Sequence, residues 1–371
     1  MTTRSTIRPI PGSSARRAGG SLTTLSTGRV AWAIGALGTL AIILLDACVR
    51  DEPTPQGDDL IYERMADDPF DAHTFVFAYR VAVPWLVHVL PFDHDVSFSA
   101  IAWLCSGAAG AVLFVLLERL GISRRVSVPL AFVLVLSPPL LVASLRQGRN
   151  PDPLTVLIMV TGALFIVERR PRALAATMLV GACNRESALF LAPLAYAVWA
   201  DRPLDRALLG RVLAVAAPAV VAFAALRFAI PTVGREQVPG YGAPLITGRF
   251  DVIRSGLESA GVELRRLAAI YGPLWLLAPL ALRGMRFARR GLVLGALCVV
   301  AMTFALDWGR VAFIAAPVVY AAAAWTLDRR RWLLAPTLAA CALMIFGYAA
   351  YMQITGTDNI INQSPPPYPV R

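Results

Sequence analysis

Five groups of charged residues interrupt or border long apolar runs in this chain, and their side chains are the ones that could do chemistry. They are Asp58-Asp59 with Tyr62, Glu63 and Arg64; Arg80; Arg146, Arg149 and Asp152 in an Arg-Gln-Gly-Arg-Asn-Pro-Asp segment; Arg185-Glu186; and Asp307-Trp308-Gly309-Arg310. A charge at the centre of a membrane helix costs about 2.5 to 3.5 kcal/mol on insertion scales, so charges placed against an apolar background point to a site. Guanidinium forks bind phosphate oxygens in pairs, and a carboxylate can take the proton of an attacking hydroxyl. Gathered on one face of a membrane, such a set suits an enzyme that acts on a phosphorylated lipid. Plainer readings stand beside it. Asp67-Asp68 and Asp93 with Asp95 read as solvated loop charges, a reading also open for Asp58-Asp59. Arg80 can snorkel from an interfacial helix, and Arg185-Glu186 or Arg146 and Arg149 can be structural ion pairs. The three histidines, His73, His88 and His94, share the first loop with Asp71, Asp93 and Asp95. Their spacing fits no zinc signature, so neither metal nor cofactor is expected; a divalent ion is conceivable but not indicated.

The elements that must position these groups follow from composition. The chain has 371 residues, 57% of them hydrophobic and 16% charged, with a mean hydropathy of +0.61. So little charge cannot cover a soluble chain of this length, so the apolar excess faces lipid and soluble multi-domain enzymes are excluded. All 35 basic residues are Arg, which removes the P-loop lysine and Schiff-base chemistry. Nucleotide-binding fingerprints, Gly-x-Ser-Gly and His-Glu-x-x-His are absent too. The net charge of +11 reflects Arg pairs set between apolar runs, the signature of the positive-inside rule and not of nucleic-acid binding. Cys48, Cys105, Cys183, Cys298 and Cys341 lie in or beside apolar runs and imply no disulfide framework.

The expected fold is an all-α polytopic membrane protein with about eleven transmembrane helices. Residues 1–29, rich in Ser, Thr, Gly and Arg, read as a disordered cytoplasmic tail. A transmembrane unit over 30–352 begins with Val30 to Cys48, whose Leu45-Asp46-Ala47-Cys48 end faintly resembles a lipoprotein cleavage site but fits a retained span better. A long acidic first loop over 49–95 follows, then runs near 96–117, 126–145, 153–167, 173–183, 187–200, 208–230, 267–282, 291–306, 311–327 and 332–352, with a tail over 353–371. Placing the Arg-rich turns inside gives 21 Arg against 5 acids there, and 14 Arg against 19 acids outside. The N-terminus is then cytoplasmic and the C-terminus extracytoplasmic. Phe75 to Leu90 carries Arg80, Pro84 and His88, is short for a span, and reads as an interfacial helix of the first loop. The runs flanking Asn184-Arg185-Glu186 read as two short helices that meet inside the protein. No internal repeat is visible, which counts against a secondary transporter.

With these landmarks in place, the chain resembles the C-type (GT-C) membrane glycosyltransferases, which use polyprenyl-phosphate-linked sugars. Gly57-Asp58-Asp59-Leu60-Ile61-Tyr62-Glu63-Arg64-Met65-Ala66-Asp67-Asp68-Pro69 is similar to a Tyr-Asp-Gly-Gln-Phe-Tyr-Tyr-Arg-x-Ala-x-Asp-Pro segment of bacterial GT-C-like membrane proteins. Tyr79-Arg80 with Pro84-Trp85-Leu86, Asn184-Arg185-Glu186-Ser187, and Asp307-x-x-Arg310 with Pro317 resemble later landmarks of that group, so the likeness covers roughly 46–320. It implies an inverting transfer of sugar from a polyprenyl-phosphate donor to a cell-envelope glycan, lipid or protein acceptor, at the outer face of a bacterial inner membrane. Asp58 matches the first-loop acid expected to be the base. Asp59 and Leu60 replace the family's Gly-Gln, and Asp46 at the outer end of the first span is a second candidate. Arg80 and Arg185, with Arg146, Arg149 or Arg310, would hold the phosphate, and Asp152 and Glu186 belong to the same binding set. Two alternatives remain: a transporter or flippase for a lipid-linked sugar or anionic lipid, and a non-catalytic assembly subunit.

Overall fold

A computed structural model describes residues 26–48, 58–74, 77–145, 149–202, 204–233, 260–302 and 308–355. Most of the expected tails at 1–29 and 353–371, together with Arg146 and Asp307, lie outside the described residues. Helix dominates: α1 (Thr27–Cys48), α2 (Asp58–Asp67), α3 (Ala82–Val89), α4 (His94–Arg119), α5 (Arg124–Val135), α6 (Pro138–Leu145), α7 (Asp152–Val167), α8 (Pro171–Asn184), α9 (Leu191–Trp199) and α10 (Arg206–Ala229). Then come α11 (Ala260–Tyr271), α12 (Leu274–Leu277), α13 (Arg286–Met302), α14 (Trp308–Phe313), α15 (Ala316–Arg329) and α16 (Leu334–Thr355). The described strands are two-residue pieces that pair in parallel, His73 with Thr232 and Thr74 with Val233, tying the first loop to the end of α10.

Among the described residues, four helices are long and apolar enough to cross a membrane: α1, α4, α10, and α16 with the turn before it. A fifth crossing arises if α5 and α6 act together across their 42° bend. Among the described residues, several other apolar runs form shorter or interrupted helices, for local reasons. Gly272 at φ +49° and Pro273 end α11, and Pro279 sits in a 3-10 turn after α12. The chain breaks at Arg185, which is fully extended (φ −162°, ψ 140°) between α8 and a 3-10 turn over Glu186–Phe190. Of the expected interfacial helix, Phe77–Tyr79 form a 3-10 turn and Ala82–Val89 the eight-residue α3, about 12 Å long at 1.5 Å per residue and too short to span.

The long α4 is the axle, packed between α1 and α7. Its contact with α1 is made by small residues, which let the two backbones approach closely. A Cβ on Gly107 would sit 2.6 Å from the Gly35 carbonyl oxygen and collide with Thr39 Oγ1. Gly107→Val is therefore expected to destabilise the protein by about 1–3 kcal/mol, the usual penalty of overpacking, which thermal unfolding in detergent measures.

Roughly 39 Å separates the ends of α4 by helical rise, and polar networks gather at both. At its C-terminal end Glu118 accepts from Thr27 Oγ1 (2.7 Å) and Arg124 Nε (2.6 Å), so α1, α4 and α5 are clasped together. Glu168 receives Arg119 (2.7 Å) and Arg170 (2.9 Å), and Ser123 donates to Asp328 (2.5 Å). The other network surrounds the start of α7.

Candidate functional site

Asp152 is the hub. It opens α7 behind Pro151, and Asn150 Oδ1 accepts its backbone N–H at 3.1 Å, meeting a donor that a helix start leaves unsatisfied. From the end of α8, Asn184 Nδ2 donates to the Pro151 carbonyl (3.1 Å) and to Thr155 Oγ1 (2.9 Å). That clasp fixes the turn against α8, and the extended backbone of the next residue carries Arg185 to Asp152, where Nη1 pairs with Oδ1. Arg310 of α14 reaches the same carboxylate, Nε to Oδ2 at 2.5 Å. Its other nitrogens are used as well: Nη2 donates to Asn150 Oδ1 at 2.9 Å, and Nη1 to Asp58 Oδ2 at 3.0 Å. Four separated segments thus converge. Asp152, Arg310 and Arg185 are mostly buried, at 16%, 13% and 11% side-chain exposure, whereas Asp58 is 36% exposed.

A second cluster adjoins it. Arg80 is buried, donates from Nη1 to Tyr62 Oη (3.0 Å), pairs through Nη2 with Glu186 Oε1 (3.6 Å), and stacks 5.2 Å from the Phe77 ring centre. Its Nε has no hydrogen-bond partner among the described residues. Burial pushes the Tyr62 phenol above its ordinary pKa, so near neutral pH it remains a hydroxyl that accepts from Arg80. Tyr62, Met65 and Ala66 form the underside of α2 and pack on Ala78, Val81, Val87 and Phe98. Three residues of α2 are therefore met by three arginines, since Glu63 lies 3.8 Å from Arg149, which also pairs with Asp95.

Beside Asp152 is a pocket with two unlike walls. Asn150, Asp152, Thr155, Arg185 and Arg310 form the polar one, and side chains of α6, of α14 and of the residue after it, among them Leu140, Val142, Phe313 and Ile314, form the apolar one. An anionic group joined to an apolar chain has the matching chemistry.

No protein-family model and no curated protein matches this sequence.

Of the residues expected from sequence to act together, the structure joins Asp58, Asp152, Arg185 and Arg310 in one ion-pair network, with Arg80 and Glu186 beside it. Arg149 turns to Glu63 and Asp95. The adjacent acids of α2 separate: Asp58 faces Arg310, while Asp59 is buried at 5% exposure, as successive helical residues point about 100° apart. Asp46 is half-buried in the last turn of α1. The histidines go different ways. His88 Nδ1 meets the Ala66 carbonyl at 2.9 Å, His73 Nε2 the Asp68 carbonyl at 2.6 Å, and His94 lies 3.8 Å from Asp67. Among the described residues no three His, Cys, Asp or Glu are grouped to hold a metal ion. Sequence reasoning missed the roles of Asn150 and Asn184, two neutral amides that hold the turn. The Asn-Pro step before Asp152 was the available signal, because Asn side chains cap the backbone two residues on.

Proposed function

We propose that this chain is a multi-pass protein of a bacterial plasma membrane that transfers a sugar from a polyprenyl-phosphate donor to a cell-envelope acceptor on the extracytoplasmic side. In this reading about eleven apolar runs cross or enter the bilayer, some as pairs of short helices, with the N-terminus inside and the Asp152 end outside. The observation that carries it is the convergence of Asp58, Asp152, Arg185 and Arg310 beside a pocket whose opposite wall is apolar. The distribution of Arg supports the orientation, since the turns at the Glu118 and Glu168 end hold the Arg pairs.

The chemistry follows from the geometry. A phosphate is a good leaving group, so the reaction needs a base for the acceptor hydroxyl and cations for the departing charge. Asp152 has both oxygens committed to guanidiniums. Asp58 meets Arg310 through one oxygen, is the more exposed of the two, and is the better placed base. The acceptor oxygen attacks the anomeric carbon as its proton passes to Asp58. The bond from that carbon to the phosphate oxygen breaks, and its electron pair leaves with the polyprenyl phosphate, held by Arg185 and Arg310. Attack opposite the leaving group inverts the anomeric configuration.

The test is release of polyprenyl phosphate from a panel of polyprenyl-monophosphate hexoses and pentoses in proteoliposomes supplied with a cell-envelope acceptor fraction. Release that depends on the protein is expected. Binding of every donor without release from any would overturn the transferase and leave a flippase or transporter; no binding would leave an assembly subunit.

A further inference from the structure

Arg310 has no free edge. All three of its nitrogens donate to protein acceptors, and those acceptors are not alike. Asn150 and Asp152 belong to one rigid turn, pinned by the start of α7 and by Asn184. The third, Asp58, comes from the first loop, is the most exposed member of the network, and is the first residue of its helix. Nothing beneath it needs to move if its side chain swings away, because α2 is anchored further along by Tyr62, Met65 and Ala66. Arg310 also lines the pocket whereas Asp58 does not.

Charge makes the arrangement exchangeable. Two guanidiniums, Arg185 and Arg310, face two carboxylates, Asp152 and Asp58, so the resting network is balanced. A phosphate entering among groups with this little water leaves excess negative charge unless one carboxylate yields. The donor's phosphate, a diester with one negative charge, suits the guanidinium edge as well as a carboxylate does. The half-exposed Asp58 is the acid that can yield, because an ion pair open to water adds little stability.

We infer that Arg310, besides holding the phosphate, couples donor binding to release of the base: Asp58 holds the place of the carrier phosphate on Arg310, and arrival of that phosphate frees the Asp58 carboxylate for the acceptor hydroxyl. The inference rests on the transferase reading for what the freed carboxylate then does, but the exchange on Arg310 is testable without turnover.

The experiment is equilibrium binding of long-chain polyprenyl phosphate, with polyprenol as the uncharged control, to the full chain in nanodiscs. Competition predicts that Asp58→Asn tightens polyprenyl-phosphate binding by about tenfold, and that Arg310→Gln weakens it by about as much, each equivalent to one charge-assisted contact. Polyprenol binding moves in neither. A purely structural ion pair would instead make both substitutions weaken binding. Asp58→Ser, which also lacks the carboxylate, serves if the Asn variant does not fold. Unchanged or weaker binding in a folded Asp58 variant overturns the exchange, as does binding that does not distinguish phosphate from polyprenol. Sugar release by the unsubstituted protein separates the two proposals, since Asp58→Asn itself removes the base: tightening in Asp58→Asn with no transfer by the unsubstituted protein removes only the transferase, and transfer by the unsubstituted protein without that tightening removes only the exchange.

Discussion

Replacement of Asp58 by Asn is expected to slow sugar transfer by about two to four orders of magnitude, the usual contribution of a positioned general base. The amide keeps the size of the side chain and can still accept from Arg310 Nη1, so the first loop stays docked through Arg80 with Glu186 and Glu63 with Arg149. The loss should therefore fall on kcat and not appear as a raised KM for the donor, which marks an interaction made in the transition state. The neighbouring acid is the internal control. Asp59 is buried at 5% exposure, and Asp59→Asn is expected to reduce the yield of folded protein while leaving the rate per folded molecule within a few fold. Initial rates in proteoliposomes, normalised to the monodisperse fraction, read both. Full activity in Asp58→Asn removes the base assignment, and a loss that appears only in Asp59→Asn moves it one residue along α2. Asp46→Asn extends the comparison to the end of α1.

How far the sequence foretold this site depends on the kind of signal. Charged residues stand out against an apolar background, so Asp58, Arg80, Asp152, Arg185 and Arg310 were visible as candidates one by one. Their pairing was not. Arg310 and Asp58 are 252 positions apart, and no local pattern says which of several arginines meets which acid. Nor does anything local rank Asp152 above Asp58; the hub emerges only when α7, α8 and α14 are packed. Asn150 and Asn184 escaped for a different reason, being neutral amides whose value lies in holding backbone. Hydropathy marked the apolar runs but not their interruptions: the bend at Leu136-Ser137 between α5 and α6 and the break at Gly272-Pro273 lie within apolar stretches, where a window average hardly changes. Arg185 was foreseen between two short helices because its flanking runs were too short to cross, and length is a signal that sequence does carry.

The largest effect on stability is expected at the hub. Asp152→Ala should destabilise the folded protein by about 3–5 kcal/mol, the cost of removing one partner from a buried ion pair. Both neighbours are confined: Arg185 and Arg310 are only 11% and 13% exposed, and without the carboxylate two guanidiniums face each other across the pocket. Arg310 retains Asn150 and Asp58, so the greater strain falls on Arg185, held at its position by the Asn184 clasp. Asp152→Asn should cost less, because the amide oxygen still accepts from one guanidinium while the charge is lost. Adding Arg185→Leu to Asp152→Ala removes the stranded cation as well, and the double variant should regain part of the lost stability. Thermal and denaturant unfolding of the unsubstituted protein, Asp152→Ala, Arg185→Leu and the double variant in one detergent closes the cycle and isolates the pair. A coupling below about 1 kcal/mol would place Arg185 and Asp152 among solvent-screened surface pairs. Such a cluster would be too wet to hold a phosphate by charge, so this measurement bears on the chemistry as directly as on the fold.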